Sequence, residues 1–376
     1  MLLITIATIP VLIWLYLLTG RAAFWRVEKN LLPKGLPKSS SKSVAVVIPA
    51  RNEAAVVGDT LASLLAQNFP APLWLVVVDD ASEDGTADAV RTAGNVILIR
   101  GEPLPPGWTG KLWALSQGVT KALEFSPDYL LFTDADIHHS SENVAELVNI
   151  AEAQHLDLAS YMVTLHCRTL PEKALIPAFV YFFMQLYPPA WIAARRHRTA
   201  GAAGGCVLIR PAALNRIGGF AAIRNKIIDD CALAQAVKHS GGRIWMGLTP
   251  ATHSVRGYGG FSGIGGMIAR TAFSQLHHSA LLLMATLLGL FFVYLLPVAL
   301  LFSGEKAPAI LGAAAWLLMS VSYAPTLRFY RRSLLWSMAL PPIALFYLSA
   351  TVRSALQYWR GQGGEWKGRA QDKDGS

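Results

Sequence analysis

The residues most able to do chemistry are carboxylates in three short groups. Asp79-Asp80 closes the apolar run LWLVVVDD at 73–80, Asp134-Ala135-Asp136 closes DYLLFTDAD at 128–136, and Asp229-Asp230 opens a helical stretch that reaches about His239. A buried strand ending in carboxylates is costly unless a cation or a donor meets them. Helix capping, for which Asp and Ser are suited, explains one such end; two on neighbouring strands are harder to explain that way. In an extended segment, positions i and i+2 point to the same side, so Asp134 and Asp136 are expected to present hard oxygens toward one point. Mg2+ or Mn2+ held by few carboxylates keeps sites open for phosphate oxygens, and a departing diphosphate needs that neutralisation. Asp229 and Asp230 have two readings. A helix dipole favours acids in its first turn, and a carboxylate there also suits a base that takes the proton of an attacking hydroxyl. The small-residue run AGAAGGC at 200–206, with Gly204 and Gly205, is either a tight turn or a place where backbone approaches a ligand closely.

The elements that must position these groups alternate regularly. VAVVIP (44–49), LWLVVVDD (73–80), VILIR (96–100), DYLLFTDAD (128–136) and LASYMVTL (158–165) read as buried strands. Between them, 52–68, the stretch up to about 93, 111–123 and 142–155 have helical spacing of apolar residues. Strands alternating with helices predict an α/β domain whose sheet is mostly parallel and covered on both faces. In such sheets ligands bind beyond the carboxyl ends of the strands. The segments to inspect are therefore Pro49-Ala50-Arg51-Asn52-Glu53, Asp79 to Thr86, and Thr133 to Asp136.

The 376 residues are 53% hydrophobic and 15% charged, against about 25% charged in an ordinary soluble domain. The apolar excess lies at the two ends. Residues 2–19 carry no charge and are long enough to cross a hydrocarbon core. Basic residues follow this run (Arg21, Arg26, Lys29, Lys34, Lys38), so it reads as a retained anchor with the next segment cytoplasmic, not as a cleaved signal. Three further apolar stretches occupy about 279–302, 307–327 and 333–352, with the basic group Arg328, Arg331 and Arg332 between the last two. Residues 173–194 are apolar and aromatic but interrupted by Pro177, Pro188 and Pro189; with the basic exit Arg195 to Arg198 they predict an interfacial amphipathic helix.

The expected layout is an anchor at 1–20 and a catalytic domain at 40–255, then a juxtamembrane interfacial segment at 256–278, membrane helices at 279–352 and a flexible basic tail at 353–376. The net charge of +9 flanks apolar stretches and meets headgroups rather than nucleic acid. Cys167, Cys206 and Cys231 lack metal or disulfide spacing and read as reduced thiols.

Taken in order, these pieces resemble the family 2 glycosyltransferases of the GT-A fold. The matching residues are Val47 to Glu53, Val78 to Thr86, Gly110-Lys111, Thr133 to Asp136, Gly204-Gly205, Ile217-Gly218-Gly219-Phe220 and Asp229-Asp230, spread over 44–255. The anchor before and apolar array after, with GWTGKLWAL at 107–115 and ARTAFSQL at 269–276, are most similar to the bacterial hopanoid-biosynthesis-associated members. The resemblance implies a nucleotide-sugar donor, with UDP as its nucleotide, bound by Pro49, Arg51, Glu53, Asp79, Asp80, Lys111, Asp134, Gly204 and Gly205. It also implies a divalent metal on Asp136 and Asp134, with His253 as a further ligand, and Asp230 as the base, with Asp229 in place of the more usual glutamate. His138 and His139 read as ordinary surface residues. The implied reaction is an inverting transfer of one sugar to a lipid acceptor in the bacterial inner membrane, with a place in hopanoid biosynthesis. Processive members carry a Gln-x-x-Arg-Trp segment. Here the comparable region is Met267-Ile268-Ala269-Arg270-Thr271, which argues against a polysaccharide synthase. A nucleotide-sugar-binding membrane protein without turnover is the other alternative.

Overall fold

The computed structural model describes residues 1–31 and 41–362 and the backbone of two short strands at 365–366 and 369–370. Lys34, Lys38, Lys367 and Lys373 lie outside the described residues. In chain order the elements are α1 (Leu2–Thr19), β1 (Val44–Ala50), α2 (Val57–Leu65), β2 (Leu73–Asp79), α3 (Thr86–Thr92), β3 (Ile97–Arg100), α4 (Gly110–Leu123), β4 (Tyr129–Phe132), β5 (Ile137–His138), α5 (Asn143–Ala153) and β6 (Leu158–Thr164). There follow α6 (Leu170–Leu186), α7 (Pro189–Ala193), β7 (Val207–Ile209), α8 (Pro211–Arg216), α9 (Asp229–His239), β8 (Ile244–Ser254), α10 (Gly260–Gln275), α11 (Ala280–Leu290), α12 (Leu296–Leu300), α13 (Lys306–Phe329) and α14 (Leu340–Trp359). The described residues fall into two units. One takes 1–30, 167–190 and the chain from 257 through α14; the other takes the described residues from 31 to 166, 191–256 and the two short strands at 365–366 and 369–370.

In the second unit, β-branched and leucine-rich runs form one sheet in the order β3-β2-β1-β4-β7-β6-β8-β5. β1 pairs in parallel with β2 and β4, β2 with β3, and β6 with β8. β7 runs antiparallel to β4 and β6, and β5 antiparallel to β8. The sheet is therefore more mixed than the alternating pattern suggests, for a topological reason. The segment after β6 leaves and returns at the same end of the sheet, so β7 must run back between β6 and β4. This direction places the start of β7 beside the carboxyl end of β4, with Phe132 paired to Val207. It carries Gly204 and Gly205 to Thr133, whose hydroxyl donates to the Gly205 carbonyl at 2.8 Å. Pro49 is tolerated in central β1 because pairing with β4 stops at Val47, so no ladder donor is lost on that side.

One face of the sheet packs Val44, Val46, Ile48, Leu75, Val77 and Leu131 against Leu61 and Leu64 of α2 and Leu147 and Val148 of α5. The other face meets α4, where Leu112, Leu115, Val119 and Ala122 are buried. Gly118 sets the approach of α4 to the sheet: a Cβ there would lie 2.3 Å from Val47 Cγ1 and 3.0 Å from Val78 Cγ2.

The first unit is helical. Among the described residues, five helices are long and apolar enough to cross a membrane: Leu2–Thr19, Leu170–Ala193, Ala280–Leu300, Lys306–Phe329 and Leu334–Trp359. Their outward side chains include Leu12, Tyr16, Leu281, Leu288, Ile310 and Leu317, as a lipid-facing surface requires. Some polar groups between them are paired: Trp14 Nε1 donates to the Val293 carbonyl at 2.9 Å, and Tyr294 Oη bonds Gln185 at 2.7 Å.

Residues 173–194 are helical over most of their length and turn many side chains inward. Leu175, Ile176, Ala178, Val180, Tyr181 and Met184 are buried among the other helices, with Tyr347 Oη donating to the Leu175 carbonyl and Tyr181 Oη bonded to Ser322 Oγ. The last helix runs to Trp359, so the residues from 353 begin as helix and not as tail. The segment 256–278 is largely α10, which packs on α14 and α6.

Candidate active site

At the carboxyl end of β1 and β2, two loops are laced together. Arg51 Nη1 donates to the backbone carbonyls of Asp80 and Ala81 and lies 3.9 Å from Asp80 Oδ2. Asn52 N donates to Ser82 Oγ, Glu53 N to Thr86 Oγ1 and Ala54 N to Asp84 Oδ2, while Asp79 Oδ1 accepts from Ser82 N. Asn52 and Ala81 both have positive φ, near +52° and +51°. Such backbone is uncommon outside glycine and is held here by the cross-loop bonds. The structure thus groups Arg51, Asp79 and Asp80 in one place.

A second group surrounds a pocket lined by Pro49, Lys111, Asp134, Gly204, Asp229 and Asp230, with Leu115, Phe132, Phe220 and Leu233 as apolar walls. Lys111 stands in the first turn of α4, where the helix dipole disfavours a cation. It is held there by Asp134 Oδ1 at 2.9 Å and Asp229 Oδ2 at 3.1 Å. Burial alone would push the ammonium down; Asp134 and then Asp229 outweigh that and hold it well above its ordinary value.

Asp230, in the first turn of α9, accepts from Gly204 N through Oδ2 and from Cys231 N through Oδ1, both at 2.7 Å. Burial, then the adjacent Asp229, push its carboxyl up to about 6, against the opposing pull of Lys111 and of the two backbone donors. Gly204 has to be small: a Cβ would lie 3.3 Å from Lys111 Nζ and 3.4 Å from Asp230 Oδ2. Gly205 faces inward, where a Cβ would meet Val163 at 3.1 Å and Ile137 at 3.3 Å. Its demand comes from packing.

The two carboxylates of Asp134-Ala135-Asp136 diverge. Asp134 goes to Lys111, whereas Asp136 Oδ2 accepts from Arg256 Nε at 2.9 Å. The same guanidinium pairs through Nη2 with Glu53. Arg256 is a site residue that sequence reasoning missed. The signal available was its place just past β8, an end of the same kind as those already inspected. His253 stacks on the ring of His138 with centroids 5.0 Å apart, and His138 Nδ1 lies 3.0 Å from Asp59 Oδ2. Among the described residues no three His, Cys, Asp or Glu side chains form a metal-binding group, so Asp134, Asp136 and His253 are not gathered into one.

His139, expected at the surface, is only 2% exposed. Its Nε2 is 3.0 Å from Thr133 Oγ1 and its Nδ1 accepts from Asn143 Nδ2 at 3.0 Å. Burial, then the neighbouring His138, push it down to about 3, so it stays neutral. Through Thr133 it ties the end of β4 to Gly205.

Residues 45–229 match the family described as Glycosyl transferase family 2. A 4,4'-diaponeurosporenoate glycosyltransferase of Staphylococcus aureus (strain bovine RF122 / ET3-1) is 33% identical over 114 residues, which are 30% of this chain and 29% of the relative. That match therefore spans less than a third of the relative's length. Among solved structures, mannosyltransferase PcManGT from Pyrobaculum calidifontis, in complex with GDP-Man and Mn2+, aligns with a TM-score of 0.56 at 18% identity, covering 94% of this chain and 98% of that one. At this identity the likeness is one of fold, and the fold of the sheet unit is GT-A.

Proposed function

We propose that this chain, which carries a family 2 glycosyltransferase domain over residues 45–229, transfers a single sugar from a nucleotide-sugar donor to a membrane lipid, with inversion at the anomeric carbon. The observation that carries the reading is Asp230: a carboxylate raised to about 6 in a pocket it shares with Lys111, Asp134 and Asp229. A base works best with a pKa near the working pH. Each Asp230 oxygen accepts one backbone N–H and keeps a lone pair for an incoming hydroxyl. The acceptor oxygen bonds to the anomeric carbon as its proton passes to Asp230. The bond from that carbon to the diphosphate oxygen breaks, and the nucleoside diphosphate leaves. Arg51, Asp79 and Asp80 are assigned to the nucleotide and Lys111 to the donor, with UDP the nucleotide that the family resemblance implies.

Asp134 and Asp136 face different partners here, so the two do not form a ready donor pair, and the carboxylate we assign to a divalent ion is Asp136. Mg2+ or Mn2+ commonly takes one or two carboxylates and completes its shell with phosphate and water. Bound there, the ion would neutralise charge on the departing diphosphate. The PcManGT structure is described with Mn2+, which supports this choice; His253 is not needed for it.

Supporting a lipid acceptor, the α/β domain is continuous with helices of membrane-crossing length. The Staphylococcus aureus relative is named for a carotenoid acid, and the hopanoid class is the acceptor we favour from the subgroup resemblance. Basic residues after α1 support a bacterial inner-membrane location with the catalytic unit in the cytoplasm.

The test is sugar transfer by the purified full-length protein from a panel of nucleotide sugars to membrane lipid extracts. Asp230→Asn should lower turnover by roughly 10²- to 10⁴-fold with donor binding retained; full activity in that variant would remove Asp230 as base. Thorough chelation should abolish transfer and Mn2+ should restore it. Activity that survives chelation would exclude the metal.

A further inference from the structure

We infer that a cavity at the amino ends of β6 and β8 binds the phosphate of an anionic phospholipid headgroup. It lies in the sheet unit, at the opposite end of the strands from Asp134 and Asp136. Its volume is about 320 Å³, within the span of roughly 300–1,000 Å³ usual for ligand sites. Leu156, Ile192 and Ile244 give it apolar walls, and Arg195, Lys238 and Arg243 give it three cations. Among the described residues, none of these cations is paired with a carboxylate. The acids near its rim have partners of their own. Glu152 takes Arg210 at 2.7 Å, and Asp157 takes Arg216 at 2.9 Å and the backbone N of Arg243 at 2.8 Å. Positive charge left unbalanced in a recess draws an anion.

The cations have different tasks. Lys238, in the last turn of α9, donates to the carbonyls of Trp191, Ile192 and Thr199 at 3.0, 2.7 and 2.7 Å. Three acceptors for three N–H groups call for the protonated ammonium. Lys238 thereby occupies carbonyls at the end of α7 that would repel an anion, and it clamps the loop that follows. His197 N donates to the Ala194 carbonyl at 3.0 Å, and its ring stacks on Trp191 with centroids 4.3 Å apart. The turn carrying Arg195 is therefore held in place. Arg195 and Arg243 keep their guanidinium donors for a ligand, and the planar fork matches phosphate oxygens. Arg195 stands two residues past Ala193, where an apolar helix of membrane-crossing length ends. Basic residues that close such a helix meet lipid headgroups, so a phosphate tethered to the membrane is the one presented to this cavity.

The experiment is calorimetric titration of the full-length protein, in an uncharged detergent, with dihexanoyl phosphatidylglycerol, dihexanoyl phosphatidylcholine and sodium phosphate in turn. Phosphatidylglycerol should bind, and the choline lipid, whose own cation opposes the arginines, should bind at least about tenfold more weakly. Replacing both Arg195→Gln and Arg243→Gln should weaken phosphatidylglycerol binding about tenfold or more, because one lost charge-assisted contact is worth about that much. Arg196→Gln with Arg198→Gln removes the same charge from exposed positions outside the cavity and should bind as wild type does. Arg195→Gln alone, at an exposed side chain, carries the test if the first pair does not fold, with a loss of about three- to tenfold. Equal binding of the two lipids, or no binding of either, overturns the inference. Equal losses in the two paired variants also overturn it, since diffuse surface charge would then suffice. Sodium phosphate that binds where phosphatidylglycerol does not makes this a site for soluble phosphate and removes the lipid. Lipid binding does not need the transfer reaction, so failure here and failure of sugar transfer are separate results.

Discussion

At the residue scale the site is an arrangement of charges that set one another. Burial and then Asp229 disfavour the charged form of Asp230 and push its carboxyl up to about 6. As the base proposed above, Asp230 would act only once deprotonated, so transfer should fall as the pH drops through about 6. Replacing Asp229 with Asn removes one cause of the rise and frees Lys111 from one partner, and both changes favour the Asp230 anion. The acid limb of the kcat/KM profile should then move to lower pH. A limb that stays in place or rises would mean that another group titrates. The carboxylates were visible in the sequence, but the shared direction expected of Asp134 and Asp136 was not realised. The same-side rule holds for a continuing strand, and pairing of β4 with β1 ends at Phe132. Beyond it the chain turns, so one carboxylate meets Lys111 and the other Arg256.

At the element scale the strands and most helices follow from local pattern: continuous apolar, β-branched runs buried on both faces, and helices with apolar spacing. The direction of β7 did not follow, because a three-residue strand carries no sign of its partners. Its reversal places Gly204 between Lys111 and Asp230. The seat of α4 gives a prediction. Gly118→Ala would drive a methyl to 2.3 Å from Val47 Cγ1 unless the helix moves. Overpacking of this kind costs about 1–3 kcal/mol. A thermal melt of the detergent-solubilised variant should show a lower transition than wild type. An unchanged melt would show that α4 is free to shift. Because α4 carries Lys111 in its first turn, such a shift would also disturb its pairing with Asp134 and Asp229.

At the scale of the whole molecule, five apolar helices accompany one α/β domain. The full chain should remain in the membrane pellet after alkaline carbonate washing; its release would indicate peripheral attachment and remove the basis for a lipid acceptor. The sequence by itself determined the class of the catalytic domain, the apolar ends and the carboxylates worth inspecting, because periodicity, hydrophobic length and strand-end charge are local properties. Tertiary structure decided the rest. The inward packing of the helix from Leu170 depends on Ser322 and Tyr347, far along the chain. His139 is an interior residue because Thr133 and Asn143 close around it. Asp136 finds Arg256, and Arg256 finds Glu53 across 203 residues. No window along the chain contains such a pair; only the folded sheet, by bringing distant strand ends to one edge, puts opposite charges within reach.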